Sequence, residues 1–254
     1  MILPDLPEPA VWAILFAAAV WAGAQNALAG GGSFITLPAL MLAGMDPRAA
    51  NITSTVALFP GQFATGWGGR TLLTGAGGLG VRTLVGLSLA GGVAGALLLL
   101  ATPPSFFARL VPWLVLFATG VFAWGSFFRR ADAEARLGPL GTGAAQFLIA
   151  VYGGYFGGGI GFLMLAALTL AGLPVRNAAA TKNVLAAVMN ASAVAIFLFS
   201  PEVRWLQAAV VCAGAVVGGL LGAWALRRVE ERVLRVAVVV IGVLLTVGLF
   251  WRGG

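Results

Sequence analysis

Apolar residues run along this chain in long uncharged stretches. They extend from Pro9 to Met45, Ala49 to Gly69, Thr83 to Ala108 and Leu110 to Phe128, then from Leu137 to Val175, Asn183 to Pro201, Trp205 to Leu226 and Val236 to Trp251. Most reach the roughly 20 residues that an α-helix needs to cross hydrocarbon. A soluble core would require a polar shell, and none is encoded: 60% of the 254 residues are hydrophobic, 9% are charged, and mean hydropathy is +1.00. The pattern predicts an all-α integral membrane protein, multi-pass in the cell membrane and surrounded by lipid. Ala27-Leu28-Ala29 has the small-residue form of a signal cleavage site, but the residues before the first run carry Asp5 and Glu8 and no basic residue. That run is read as a retained first helix.

The first stretch is too long for one crossing, since a helix from Pro9 to Met45 would measure about 55 Å against a hydrocarbon core of about 30 Å. Gly30-Gly31-Gly32 permits the sharp turn that ends one helix and starts a short one toward Gly44. Gly157-Gly158-Gly159 interrupts the later stretch in the same way. The two interruptions belong to an internal repeat at an offset of 128 residues. Without a gap, Gly30-Gly31 align with Gly158-Gly159, Phe34 with Phe162, Leu42-Ala43-Gly44 with Leu170-Ala171-Gly172, Arg48 with Arg176, and Thr53 with Thr181. The expected organisation is two homologous helical repeats, residues 1–135 and 136–254. Broken apolar segments at matched positions of two halves point to a transporter site near the bilayer midplane, with the short helices meeting there. The pairs Gly91-Gly92 and Gly218-Gly219 are read instead as close helix packing.

Charge placement bears on the number of crossings, eight or ten, because Lys and Arg favour the cytoplasmic side of short loops. Four crossings per half distribute the arginines evenly. Five segments per half put Arg70, Arg82, Arg129, Arg130, Arg136, Arg176, Arg227, Arg228, Arg232 and Arg235 on one side, opposed only by Arg48, Arg109, Arg204 and Arg252. An odd number of segments inverts the second repeat relative to the first. In agreement, the charged loop from Arg227 to Arg235 corresponds to the uncharged stretch from Leu99 to Phe107. The short post-glycine segments are crossings or re-entrant hairpins.

The net charge of +7 brings no basic stripe interleaved with aromatics, so nucleic acid is not an expected partner. Histidine is absent and Cys212 is the single cysteine, which excludes the usual soft-metal sites and Ser/His or Cys/His pairs; neither cofactor nor enzymatic activity is expected. No G-x-x-x-x-G-K-[ST] motif occurs for direct use of ATP. All 8 acidic residues lie at or beyond the ends of apolar runs, leaving no carboxylate for a cation site. The only lysine, Lys182, sits inside an apolar stretch between Thr181 and Asn183, where an ammonium is costly enough to suggest a role; snorkelling to the nearby surface is the competing reading. Hydroxyls and amides cluster in the repeated region, and short helices starting at the glycine breaks aim N–H groups at the centre. The candidate substrate-binding residues are Gly31, Gly32, Ser33, Thr53, Ser54, Gly158, Gly159, Thr181, Lys182, Asn183 and Asn190, and the ligand they suit is a small anion. Arg48 and Arg176 are read as anchors of helix ends.

Gly30-Gly31-Gly32-Ser33-Phe34 leading to Pro38 and Gly44, then Ala50 to Thr53-Ser54, with a second copy from Gly157 to Thr181-Lys182-Asn183, resembles the sulfite exporter TauE/SafE family across nearly the whole chain. The resemblance implies a multi-pass transporter, and an exporter, of sulfite, sulfoacetate or another organosulfonate. The chain departs from an even repeat at Pro38, which faces Ala166 in the second copy. A passive anion channel and a non-transporting membrane scaffold remain the alternatives.

Overall fold

The computed structural model describes residues 7–28, 31–127, 137–225 and 231–253. Among them there is no strand beyond an isolated bridge between Ala76 and Leu79. The helices are α1 (Glu8–Leu28), α2 (Ser33–Leu42), α3 (Pro47–Gly69), α4 (Val81–Ala101), α5 (Pro104–Phe127), α6 (Pro139–Tyr155), α7 (Ile160–Leu170), α8 (Val175–Phe197), α9 (Trp205–Ala225) and α10 (Glu231–Gly253), with a single 3-10 turn at Arg70–Leu72 after α3. Three spans among the described residues, Val81–Ala101, Pro104–Trp124 and Val175–Phe197, are both long and apolar enough to cross a membrane. The boundary expected at residue 135, and the arginines at 129, 130, 136, 227 and 228, lie outside the described residues.

Both glycine interruptions fall between a longer helix and a short one. The short helices α2 and α7 have 10 and 11 residues, about 15 Å each, half of what a crossing requires. Gly31, Gly157 and Gly159 take positive φ (87°, 83° and 75°), a region that a Cβ disfavours, so these turns require glycine. The short helices also end alike. Gly44 and Gly172 take φ of 87° and 91°, and Met45 and Leu173 donate back to the carbonyls of Leu40 and Leu168 at 3.1 Å, closing each C-terminus with a left-handed cap. The matched residues Phe34 and Phe162 pack on the same ring, Phe122 of α5, at 6.5 and 4.4 Å between centroids. The two short helices thus begin on either side of one buried phenylalanine.

Long helices pack in pairs: α1 on α9, α4 on α6, α3 on α8 and α5 on α10. Lipid tails are as apolar as leucine, so burial alone does not drive such pairs together; close backbone approach does. Along α1 and α9, Gly23 lies against Ala215, Gly214 against Phe16 and Ala19, and Gly218 against Val20, which makes these two helices run in the same direction. Gly91, Gly95 and Gly154 do the same for α4 and α6. The two glycine pairs assigned to packing from the sequence are packing glycines. By contrast α3 and α8 are antiparallel. The start of α3 meets the turn that follows α8, where Thr53 accepts the backbone N–H of Arg204 at 3.2 Å, and the start of α8 meets the turn that follows α3, where Thr181 accepts that of Thr74 at 3.2 Å.

Polarity is distributed as in a membrane protein. Trp113, Phe117, Leu220 and Trp251 are among many large apolar side chains left exposed, while Asn51, Thr53, Ser54, Ser88, Gln146, Thr181 and Asn190 are buried. Their partners are internal: Asn51 donates to the Tyr155 carbonyl at 3.0 Å and Gln146 to Ser88 at 2.9 Å.

Candidate functional site

A cavity of about 500 Å³ opens where the two glycine breaks approach each other. Gly31 and Ser33 enter it from the first break, Gly157, Gly159, Ile160 and Gly161 from the second, Pro60, Gly61, Gln62 and Thr65 from α3, and Lys182, Asn183, Ala186 and Asn190 from α8. Asn26 of α1 and Ala215, Val216 and Gly219 of α9 add to the wall; among the described residues no acidic side chain lines it.

The lysine is the one cationic side chain in that wall. It is partly buried and makes no hydrogen bond or ion pair among the described residues. Helical spacing explains the company it keeps, since Lys182, Ala186 and Asn190 recur every four residues and share one face of α8. Gly161 lies beside it: a Cβ there would stand 3.7 Å from Nζ, in ordinary contact with the ammonium. Gly161 also occupies the first turn of α7, where the N–H groups of Ile160 and Gly161 have no acceptor within the helix. The corresponding start of α2 is more occupied. Gly32 donates its N–H to Asn26 Oδ1 at 2.8 Å, and Gln25 Nε2 donates to the Gly31 carbonyl at 3.2 Å. The donor-rich end of the cavity is therefore the one formed by α7 and Lys182.

A second polar group lies across the cavity. Asn190 Nδ2 donates to Gln62 Oε1, and these two residues are 128 positions apart, the period of the internal repeat. Each is the other's counterpart. Pro60 lies two residues before Gln62 on α3; having no N–H, it leaves the carbonyl of Val56 without its helical donor.

Six of the eleven residues singled out from the sequence line the cavity: Gly31, Ser33, Gly159, Lys182, Asn183 and Asn190. The others lie outside its wall. Gly32 is turned to Asn26, and a Cβ on Gly158 would meet the Phe156 ring at 2.7 Å. The Ser54 hydroxyl is 2.6 Å from that of Thr36, which binds the Gly32 carbonyl and so steadies the first turn of α2. Thr53 and Thr181 hold the turns before α9 and α4. From the sequence these hydroxyls read as oxyanion donors; in the structure Thr53 and Thr181 accept backbone N–H groups of the opposite half, and Ser54 pairs with Thr36 of its own half. Sequence reasoning missed Asn26, Thr65 and above all Gln62, which the offset of 128 places opposite Asn190.

An all-helical bundle with a cavity that carries a few polar groups between two interrupted apolar segments, wrapped in exposed apolar side chains, defines a multi-pass membrane transporter. The family model for the sulfite exporter TauE/SafE matches residues 15–249, and the chain belongs to that family. The chain is similar to a probable membrane transporter protein of Haemophilus influenzae, 29% identical over 248 residues and covering 95% of each chain. It is 30% identical over 243 residues to the probable membrane transporter protein ORF9 of Sinorhizobium, covering 93% of this chain and 91% of that one. It is 27% identical over 248 residues to the probable membrane transporter protein YfcA of Escherichia coli K12, covering 96% and 91%. No solved structure matches the chain. These relationships make it a transporter rather than an enzyme.

Proposed function

We propose that the protein is a secondary carrier that exports a small anion, a sulfur oxyanion or organosulfonate such as sulfite or sulfoacetate, through the cavity between its glycine breaks. The observation that carries this reading is Lys182, an ammonium that faces the cavity and, among the described residues, has no acidic partner and no carboxylate beside it in the wall. An unpaired cation in such a place is costly unless a ligand supplies the charge. The free N–H groups of Ile160 and Gly161 extend the donor set at the positive end of α7, and Asn183 adds an amide nearby. Membership of the sulfite exporter TauE/SafE family agrees with this substrate chemistry.

Residues 1–135 and 136–254 act in this reading as two inverted halves. The antiparallel run of α3 and α8 supports it, as does the pairing of α1 with α9 and α4 with α6, which exchange when the halves are exchanged. A residue touching its own repeat counterpart, as Gln62 touches Asn190, lies on the axis relating the halves. Rocking of one half against the other would expose the cavity to each side in turn.

Uptake of labelled sulfite and sulfoacetate into proteoliposomes tests the proposal. Native protein should give saturable, exchangeable flux. Lys182→Ala should lower kcat/KM by about a hundredfold, the loss of one charge-assisted contact of roughly 3 kcal/mol, and Lys182→Arg should retain much of it. Flux that never saturates would indicate a channel. Full activity in Lys182→Ala would remove the lysine from the site.

A further inference from the structure

The single ion pair among the described residues lies away from the cavity and joins the two halves of the chain. Arg48, in the first turn of α3, donates from Nε and Nη2 to both carboxylate oxygens of Glu202, in the turn between α8 and α9. Its Nη1 donates to the carbonyls of Leu100 and Thr102 at the end of α4. One guanidinium therefore clamps three chain segments at one end of the bundle, and a bidentate Arg–carboxylate pair is the geometry that holds most firmly. Asp46 caps α3 by accepting the N–H of Arg48 at 2.9 Å, fixing the helix start from which the arginine reaches out. Both side chains are largely covered, at 14% and 23% exposure.

Among the described residues the opposite end has no such clamp. The counterpart of Arg48 is Arg176, at the start of α8; it is exposed and has no partner among the described residues. The position matching Glu202 is Thr74, which has no charge to offer. The cavity is displaced toward this unclamped end: its wall draws on the later half of α3 and of α9, both of which run away from the Arg48 end.

We infer that Arg48 and Glu202 form the gate that keeps the Arg48 end of the transporter closed, and that this pair must part each time the cavity turns to that end. The inference rests on the carrier reading for its role in transport, but the closure itself is a property of the protein without substrate. A contact between a residue and its own counterpart, such as Gln62 with Asn190, survives an exchange of conformation between inverted halves. A contact such as Arg48 with Glu202 does not, because its counterpart joins Arg176 to Thr74.

The test uses the full chain with Cys212→Ala and one cavity cysteine, Ala186→Cys, labelled by a membrane-impermeant thiol reagent in vesicles of each orientation. Labelling should be fast from the Arg176 end and slow from the Arg48 end. Arg48→Gln and Glu202→Gln should each raise the rate from the Arg48 end about tenfold, between the effects of exposed and buried pairs, and Arg176→Gln should leave it unchanged. Equal labelling from both ends of the parent, or an unchanged rate in both gate variants, would overturn the inference. Should a gate variant misfold, a cleavable bifunctional linker joining Arg48→Cys to Glu202→Cys decides: sulfite flux should stop when the linker is in place and return when it is cut. Flux undiminished by the linker would equally overturn the gate. If the unlinked protein carries no sulfite, the carrier reading fails, and the labelling arm still settles the closure.

Discussion

Thr53 and Thr181 show how the same residue type serves different ends at different registers. Each hydroxyl is buried and accepts a backbone N–H from a turn of the other half. Replacing either by valine keeps the shape and orphans that N–H, which costs about 1 to 3 kcal/mol. Thr53→Val and Thr181→Val are therefore expected to lower the melting temperature in detergent by several degrees while leaving the KM for the transported anion unchanged. A raised KM with an unchanged melting temperature would place them in the binding site after all. Gln62 behaves in the opposite way. Gln62→Glu sets a carboxylate into a cavity that has none and should raise KM for anions about tenfold or more, whereas Gln62→Met should have a smaller effect; the comparison of KM values in proteoliposomes reports it. Lys182 was legible in the sequence because a lone lysine in an apolar run has few explanations. The partners of the hydroxyls were not legible, because composition reveals a donor but not the direction in which the helix turns it.

The glycines divide by element into those that turn the chain and those that bring helices together. Gly218 is of the second kind, and a Cβ there would collide with the backbone of Val20. Gly218→Ala should force α1 from α9 and destabilise the protein by roughly 1 to 3 kcal/mol, as overpacking does. Gly120, on α5, has open space beside it, and Gly120→Ala should be neutral or stabilising by about 1 kcal/mol through helix propensity. Thermal unfolding of the two variants in detergent separates the roles. The breaks after α1 and α6 were readable because length forbids one helix and the triplets recur at a fixed offset. Which helices would pair was not readable, since every long helix here carries small residues and apolar ones on all faces.

At the scale of the molecule, the contacts of α3 and α8 place four of the arginines. Arg48 and Arg204 gather at one end and Arg82 and Arg176 at the other, as the contacts of α3 and α8 require. In a Cys212→Ala background, cysteines placed at Asp46 and Pro201 should be labelled from one face of the membrane, and cysteines at Arg82 and Gly172 from the opposite face. Labelling of Asp46 and Gly172 from the same face would contradict inverted halves. Ion pairing was the least legible feature at this scale: Arg48 and Glu202 are 154 residues apart, and nothing in either local sequence announces the other.

For the two inverted halves proposed above, the meeting of Gln62 with Asn190 has a further consequence. In an assembly of two identical chains, any side chain near the twofold axis occurs twice, so an ammonium at the place of Lys182 would confront a second one across the axis. A single chain escapes that constraint. Here the residue matching Lys182 is Ser54, which is turned to Thr36, and one positive charge stands where strict symmetry would install two. On the proposed carrier reading, joining the halves in one polypeptide is what allows a symmetric framework to hold an asymmetric cargo site, one with a charged wall and a neutral wall.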